Sequence, residues 1–279
     1  MLRTPKILRR LLKKLDDAYG KIAVSCDRDL FCGLFNIRAV LRGKDVRFSF
    51  DAADNIYTAH SATHTRVFKE RKQNYQAYSD GMSERGNRLG HEYLLDKIPF
   101  SPGDVVVDCG ANVGDLLLFF KEHKLDVQYF AIEPSPAEFH CLQRNVAPSE
   151  SFHLGLWNTS GHLDFFVSSR NADSSFFQPT KYTEVVQVPI KRLDGFFSLP
   201  IKLLKLEAEG AEPEALAGCE HLLKQVAYIS ADCGFERGVQ QESTLAPVTN
   251  YLLTRGFELL EVRYPRIVAL YRNKNLSSR

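Results

Sequence analysis

The chain predicts an α/β fold built on an open, mostly parallel sheet, and three observations carry that prediction. Residues 105–107 are three consecutive valines with no polar break, as in a strand buried on both faces. They run into Asp108 and a Gly-Ala-Asn-Val-Gly turn over residues 110–114, and the apolar stretch Leu116–Phe120 follows with Lys121 and Glu122 behind it. The strand-then-helix order recurs over residues 129–145, which completes a βαβ unit. Such sheets bind ligands at the carboxyl ends of their strands, so the glycine turn is the expected ligand site.

Composition fits a globular chain. At 279 residues, 44% hydrophobic and 25% charged, it can bury a full core, and neither disordered nor collagen-like bias is present. The formal charge is +2, but residues 1–14 hold six Lys or Arg and no acid, which leaves −4 for the remainder. The basic character is therefore a local tail, and no nucleic-acid partner is expected. Six cysteines, at 26, 32, 109, 141, 219 and 233, show no C-x-x-C pair and read as reduced thiols in a cytoplasmic chain, with Cys109 simply packing.

Residues 1–100 form an N-terminal extension and residues 101–279 the main domain. Leu8, Leu11, Leu12 and Leu15 share one helical face, with Arg9, Arg10, Lys13 and Lys14 beside them. Charge interrupts the apolar residues throughout, so this is no signal peptide, and no run approaches the roughly 20 residues of a membrane span. A basic amphipathic helix of residues 1–15 either packs on its own protein or docks on a partner or on the inner face of an anionic membrane. Residues 46–50 alternate as a half-buried strand, whereas 55–65 is polar and resists assignment. His60 and His64 stand at i,i+4, a metal-binding spacing on a helix, but no Glu or Cys partner accompanies them and no metal is expected. From Val67 to Ile98 the pattern is helical, with a break at Asp80-Gly81 and Tyr93, Leu94 and Leu95 facing inward.

Pro102-Gly103-Asp104 turns the chain into the main domain. After the second strand, Tyr129–Ile132, Pro136 suits a first helical turn. Residues 152–157 are expected as the third strand. Residues 163–168 and 185–190 are two more strands, a β insertion whose connection, 169–182 with Phe176 and Phe177 at its centre, either covers a substrate or merely joins them. Residues 203–206 are the fourth strand, followed by Glu207, Glu209 and Glu212. Three carboxylates in six residues must be exposed, shared with cations or functional, because like charges in one site raise each other's pKa. Residues 226–231 form the fifth strand, ending at Asp232, and the loop 233–238 borders the same crevice. Residues 257–262 and 267–271, with Pro265 between, close the sheet.

The ligand is constrained by the turn. A dinucleotide fingerprint, G-x-G-x-x-G, needs a middle glycine where a pyrophosphate meets the helix N-terminus. Here Gly110 and Gly114 flank Asn112, and Asp108 would repel a phosphate. Glu133, ending the second strand, can take both hydroxyls of a ribose. Adenosine without phosphates fits both features, and a nicotinamide-dependent oxidoreductase fits less well.

Four stretches in order carry a family resemblance: residues 108–114 (DCGANVG), 133–136 (EPSP), 191–194 (KRLD) and 204–212 (LKLEAEGAE). Through them the chain resembles the FkbM family of class I S-adenosylmethionine-dependent O-methyltransferases, over roughly residues 100–272. Glu207 stands where the family usually has Asp. The resemblance implies a Rossmann-like class I methyltransferase sheet, mostly parallel with an antiparallel last strand, and S-adenosyl-L-methionine as cofactor. It implies cofactor contacts from Asp108, Gly110, Asn112, Gly114, Glu133, Pro134 and Ser135, with Asp108 on the methionine amino group and Glu133 on the ribose. Leu156, Trp157 and Asn158 come near the adenine edge, unless the lone Trp is core. Arg85 and Tyr93 either approach the cofactor or serve as a solvated face and core.

Methyl transfer to oxygen needs a base within reach of the acceptor hydroxyl. Glu209 is favoured, with Glu207 and Asp232 as further candidates, Lys205 as their electrostatic partner and His153 as an outsider. No Asn-Pro-Pro-Tyr-type segment follows the fourth strand, which argues against nitrogen as the acceptor. The implied acceptor is a hydroxyl of a sugar, a glycan intermediate or a related small molecule, reached without a metal. A non-catalytic scaffold on the same fold is the other alternative, and oligomeric state, a homo-oligomer included, stays open.

Overall fold

The computed structural model describes residues 6–168 and 174–276. The chain divides into two compact units, Met1–Met82 and Ser83–Arg279. Residues 83–100, expected in the N-terminal extension, fall within the second.

The first unit comprises α1 (Lys6–Ser25), α2 (Arg28–Leu41), β1 (Arg47–Asp51), β2 (Ile56–His60), β3 (Thr65–Phe68) and α3 (Arg71–Tyr78). The three strands form an antiparallel meander, and its buried side meets α2 in an aromatic core. Phe35 of α2 stacks on Phe48 of β1 with ring centroids 3.5 Å apart, while Phe31, Tyr57 and Phe68 close around them. The polar segment 55–65 thus resolves into β2, a turn and the start of β3. Ile56, Tyr57 and Ala59 are buried there, so three apolar contacts outweigh the polar composition. His60 and His64 flank the turn, closed by the Ser61 N–H on the His64 carbonyl, and the helical spacing that suggested a metal pair does not exist. Val67 and Phe68, expected to open a helix, end β3 instead, and α2 was not anticipated. The expected N-terminal helix is realised as α1, although the side chains of Leu8, Leu11 and Leu12 lie outside the described residues.

In the second unit, α4 (Met82–Glu92) precedes β4 (Asp104–Cys109), α5 (Leu116–Glu122), β5 (Val127–Ile132), α6 (Pro136–Val146) and β6 (Glu150–Phe152). Then come β7 (Gly155–Leu156), β8 (Gly161–Val167), β9 (Glu184–Lys191), β10 (Ile201–Leu206), α7 (Glu212–Ala217) and β11 (Val226–Asp232). The chain ends with β12 (Phe235–Arg237), β13 (Glu242–Ser243), α8 (Leu245–Leu253), β14 (Phe257–Arg263) and β15 (Val268–Asn273).

Seven strands form the central sheet in the order β14-β15-β11-β10-β4-β5-β6. Pairings from β6 to β11 are parallel and β15 alone runs against them. Side chains alternate between two covered faces. Val107, Leu204, Leu206 and Ile229 belong to one core, and Val106, Ala131, Leu203 and Phe120 to the other. Both faces being covered is why these strands are mostly apolar, with Lys205 of β10 and Ser230 of β11 among the buried polar residues. From β4 the chain first builds outward through β5 and β6, then returns to β10 on the other side. That reversal opens a crevice at the carboxyl ends of β4 and β10.

The third strand departs from expectation. Residues 152–157 do not form one strand: β6 ends at Phe152, and Gly155–Leu156 pairs with β9 in a separate sheet ordered β7-β9-β8. The β insertion is present, with β8 and β9 paired antiparallel from Gly161↔Ile190 to Val167↔Glu184. Residues 169–173 of its connecting loop lie outside the described residues.

Candidate active site

Lys205 is buried near the carboxyl end of β10. It stands opposite Asp108 in the register of β10 and β4, and its Nζ lies 2.9 Å from Asp108 Oδ1 and 3.0 Å from Glu207 Oε2. The same ammonium donates to the Gly110 carbonyl at 2.8 Å, and lies 5.0 Å from the centroid of the Tyr93 ring. Tyr129 OH donates to the other oxygen of Asp108. Asp108 was expected as an unpaired acid for the methionine amino group. It is fully buried and is not unpaired: Lys205 lies beside Oδ1 as an ion pair and Tyr129 donates to Oδ2.

Arg266, at the entry to β15, extends the network by pairing with both Glu207 and Asp232, and its guanidinium lies 5.6 Å from the Tyr93 ring centroid. Asp232 also accepts the Gly234 N–H at 3.1 Å. Burial raises the Asp232 carboxyl to about 6, with the Glu212 charge adding to it. Tyr93 is the polar group left over: its hydroxyl is buried without a hydrogen-bond partner, between two cations. Burial pushes that phenol well above its ordinary value. Of the two roles open for Tyr93, core is what its burial shows, although the hydroxyl is unsatisfied. Arg85 pairs with the buried Asp115 at 2.9 Å, so it is no mere solvated side chain.

The glycine turn is tight because its neighbours leave no room. Gly110 has φ 72°, and a Cβ there would stand 1.8 Å from the Glu207 carbonyl oxygen. Asn112, with φ 50°, directs its N–H to Glu133 Oε2 at 2.8 Å. Glu133 Oε1 accepts the Ser135 N–H at 2.8 Å, so one carboxylate at the end of β5 ties both turns together. Burial, followed by the nearby Glu138 charge, raises the Glu133 carboxyl to about 7. Pro134 offers its carbonyl to His153 Nε2 at 3.0 Å, which holds His153 in a structural position.

After β10 the backbone turns at Glu209, φ 48°, and Gly210, φ 95°. Glu212 shapes this turn. Its buried carboxylate accepts the N–H groups of Ala208 at 2.8 Å and Gly210 at 3.2 Å, plus the Thr244 hydroxyl. Burial raises its pKa. Of the three clustered acids, Glu207 is therefore shared with cations, Glu212 is satisfied by donors, and Glu209 stays at the half-buried surface of the turn. The Glu209 carbonyl accepts the Ser175 hydroxyl at 2.8 Å. Cys109 packs as expected, its thiol pushed up to about 12 by burial.

Leu156, Trp157 and Asn158 lie in and after β7, one sheet away from β5. Leu156 is buried in the core, Trp157 packs against Phe176 and Phe177, and the Asn158 carbonyl accepts from Arg192. Next to Glu133 stands Phe152, whose carbonyl accepts the Glu133 N–H at 3.1 Å.

The Methyltransferase FkbM domain family matches residues 108–259, from Asp108 at the end of β4 to Leu259 in β14. The chain belongs to the FkbM methyltransferase family. The enzyme is similar to the 2-O-methyltransferase NoeI of Sinorhizobium fredii, 22% identical over 74% of this chain and 94% of that protein. It is also similar to the 31-O-demethyl-FK506 methyltransferase FkbM of Streptomyces tacrolimicus, 25% identical over 46% of this chain and 64% of that one. A crystal structure of a methyltransferase FkbM from Methylobacillus flagellatus aligns with a TM-score of 0.48 at 17% identity, covering 73% of this chain and 54% of that chain.

Arg266, Arg237 and Glu212 hold the site together and were not singled out as site residues from sequence. The available signal was the cluster of acids at 207–212, which required cations from elsewhere in the chain.

Proposed function

We propose that the enzyme transfers the methyl group of S-adenosyl-L-methionine to a hydroxyl of a sugar, a glycan intermediate or a related small molecule. The observation that carries the cofactor is Glu133 beside the glycine turn at the switch point of the sheet. Each of its oxygens accepts one backbone bond, and a carboxylate has further lone pairs for the two hydroxyls of a ribose. The glycine turn itself supplies the Asn112 N–H that bonds Glu133, so turn and carboxylate lie together, and the unsatisfied Tyr93 hydroxyl is a donor in reserve beside Lys205. When bound, the cofactor supplies a methyl group already activated on a sulfonium.

The chain's own task is to orient the acceptor and take its proton. Glu209 is the best placed of the three candidates. Glu207 is held by Lys205 and Arg266, and Asp232 is fully buried against Arg266. Glu209 is half-buried on the turn that follows the carboxyl end of β10, beside Gly210. Its left-handed backbone is a conformation that costs energy in a non-glycine residue and that clusters at functional sites. Lys205 joins the ends of β4 and β10 through Asp108, Glu207 and the Gly110 carbonyl.

An acceptor of sugar type is supported by a groove of about 650 Å³ lined by Phe235, Arg237, Gln240, Gln241 and Glu242. Arg237 links it to the turn by donating to the Gly210 carbonyl at 2.6 Å. Amides, a carboxylate and an exposed ring suit a polyhydroxylated ligand. Oxygen as the acceptor atom is supported by the names of the two relatives, both of which describe O-methyl transfer. Methyl-labelled S-adenosylmethionine, offered with activated sugars, glycan fragments, small alcohols and amine controls, tests the proposal. Label in hydroxyl compounds is expected, and label in amines alone would overturn it.

A further inference from the structure

The α1–α2 hairpin of the first unit carries an apolar face that is exposed among the described residues. Arg38 pairs with Asp16 at 2.8 Å and Tyr19 OH donates to the Leu34 carbonyl at 2.7 Å, so the two helices run antiparallel, side by side. The side facing the strands is filled: Phe31, Cys32, Phe35 and Ala39 of α2 are buried, and Gly20 of α1 approaches the Tyr75 ring so closely that a Cβ would meet it at 3.2 Å. At about 100° per residue, Leu15 and Ile22 lie on the opposite side of α1 from Gly20. Leu30, Ile37 and Leu41 follow a seven-then-four spacing that places them on one face of α2. Leu15, Ile22, Leu30, Ile37, Val40 and Leu41 are each between 55% and 80% exposed. Isolated exposed leucines need no explanation, but a stripe along two adjacent helices does.

Charge identifies what covers it. Arg10, Lys13, Lys14 and Lys21 of α1 are exposed, and residues 1–14 hold six basic residues and no acid. Of the two acids on α1, Asp16 is already held between Arg38 and Arg42. A second copy docking by the same face would set these cations against their own symmetry mates. A surface with an apolar interior and an anionic rim satisfies both the leucines and the lysines. Among the described residues no helix is long and apolar enough to cross a membrane, so the contact would be interfacial.

We propose that the α1–α2 hairpin docks the enzyme on an anionic lipid membrane surface, its leucine stripe at the headgroup boundary and its lysines on the lipid phosphates. The full chain is tested by cosedimentation with vesicles of phosphatidylcholine alone and of phosphatidylcholine containing phosphatidylglycerol. The wild type should pellet with the anionic vesicles only, and less as salt rises. Lys13→Gln with Lys14→Gln should lower partitioning roughly fivefold per lysine. Leu30→Glu with Ile37→Glu should reduce it to the level of neutral vesicles, with melting curves unchanged because both positions are exposed. The proposal is overturned if the wild type stays in solution with both vesicle types, or if it pellets equally well after the Leu30 and Ile37 changes. It is also overturned if analytical ultracentrifugation shows a dimer that those changes dissolve, which would assign the face to a second copy.

Discussion

Lys205 Nζ lies 2.9 Å from Asp108 Oδ1 across two neighbouring parallel strands, with both side chains withdrawn from solvent. An ion pair so deeply buried does not by itself stabilise a fold, but removing one partner leaves the other charge uncompensated. Lys205→Met would strand Asp108 and remove one of the two cations holding Glu207. The expected loss is about 3–5 kcal/mol, read from urea denaturation. A loss below about 1 kcal/mol would mean that the network adapts and does not depend on Lys205.

Gly110 makes the same point for the backbone. Its left-handed φ and the Glu207 carbonyl 1.8 Å from where a Cβ would stand leave no place for alanine. Gly110→Ala should cost at least about 1–3 kcal/mol in backbone strain, because the obstructing atom is main chain and cannot swing aside. Wild-type melting behaviour in that variant would contradict the turn geometry.

Glu133 should make stability depend on pH. Burial raises its folded carboxyl from 4.5 to about 7. The native state then keeps a proton that the unfolded chain has released, so stability falls as pH rises through that window. Asp232, raised from 3.8 to about 6, acts in the same direction at lower pH. Glu133→Gln cannot titrate, so the stability difference between wild type and variant should shift against the wild type between pH 5 and about 7. A difference that stays constant over that interval would contradict the assignment.

Glu209→Gln keeps shape and removes basicity. Turnover should drop by roughly 10²–10⁴ with cofactor affinity nearly intact. Asp232→Asn is the informative comparison: it removes the charge that pairs with Arg266 and should lower stability as well as turnover. If turnover survives Glu209→Gln but collapses on adding EDTA, a metal-assisted mechanism replaces this one.

Much of the sheet was legible because strands covered on both faces cannot hide their composition. Val105–Val107 is an unbroken apolar run, Leu203–Leu206 is apolar but for Lys205 and Val226–Ala231 but for Ser230, and β4, β10 and β11 follow them. The glycine turn was legible because Gly110 and Gly114 mark the only local solution to a close backbone approach. What stayed hidden was long-range. Nothing near Asp108 in sequence announces Lys205 or Tyr129 as its partners, and Arg266 reaches Glu207 from the far end of the chain. Local pattern also failed where two sheets share one segment, since residues 152–157 read as a single strand but serve β6 and β7 in turn. The hairpin of β2 and β3 was missed because polar residues are interleaved with its buried ones, and the buried set of Ile56, Tyr57, Ala59 and Phe68 includes the charged Arg66 as well.

The central claim is that the Glu133 and glycine-turn crevice holds the adenosine of S-adenosylmethionine. Calorimetric titration with S-adenosylhomocysteine and with NAD, on wild type and Glu133→Ala, tests it most directly. Wild type should bind S-adenosylhomocysteine and not NAD, and Glu133→Ala should weaken that binding by roughly 1–3 kcal/mol, the range for a lost hydrogen bond to a charged group. Tight binding of NAD alone, or undiminished S-adenosylhomocysteine affinity in Glu133→Ala, would contradict it.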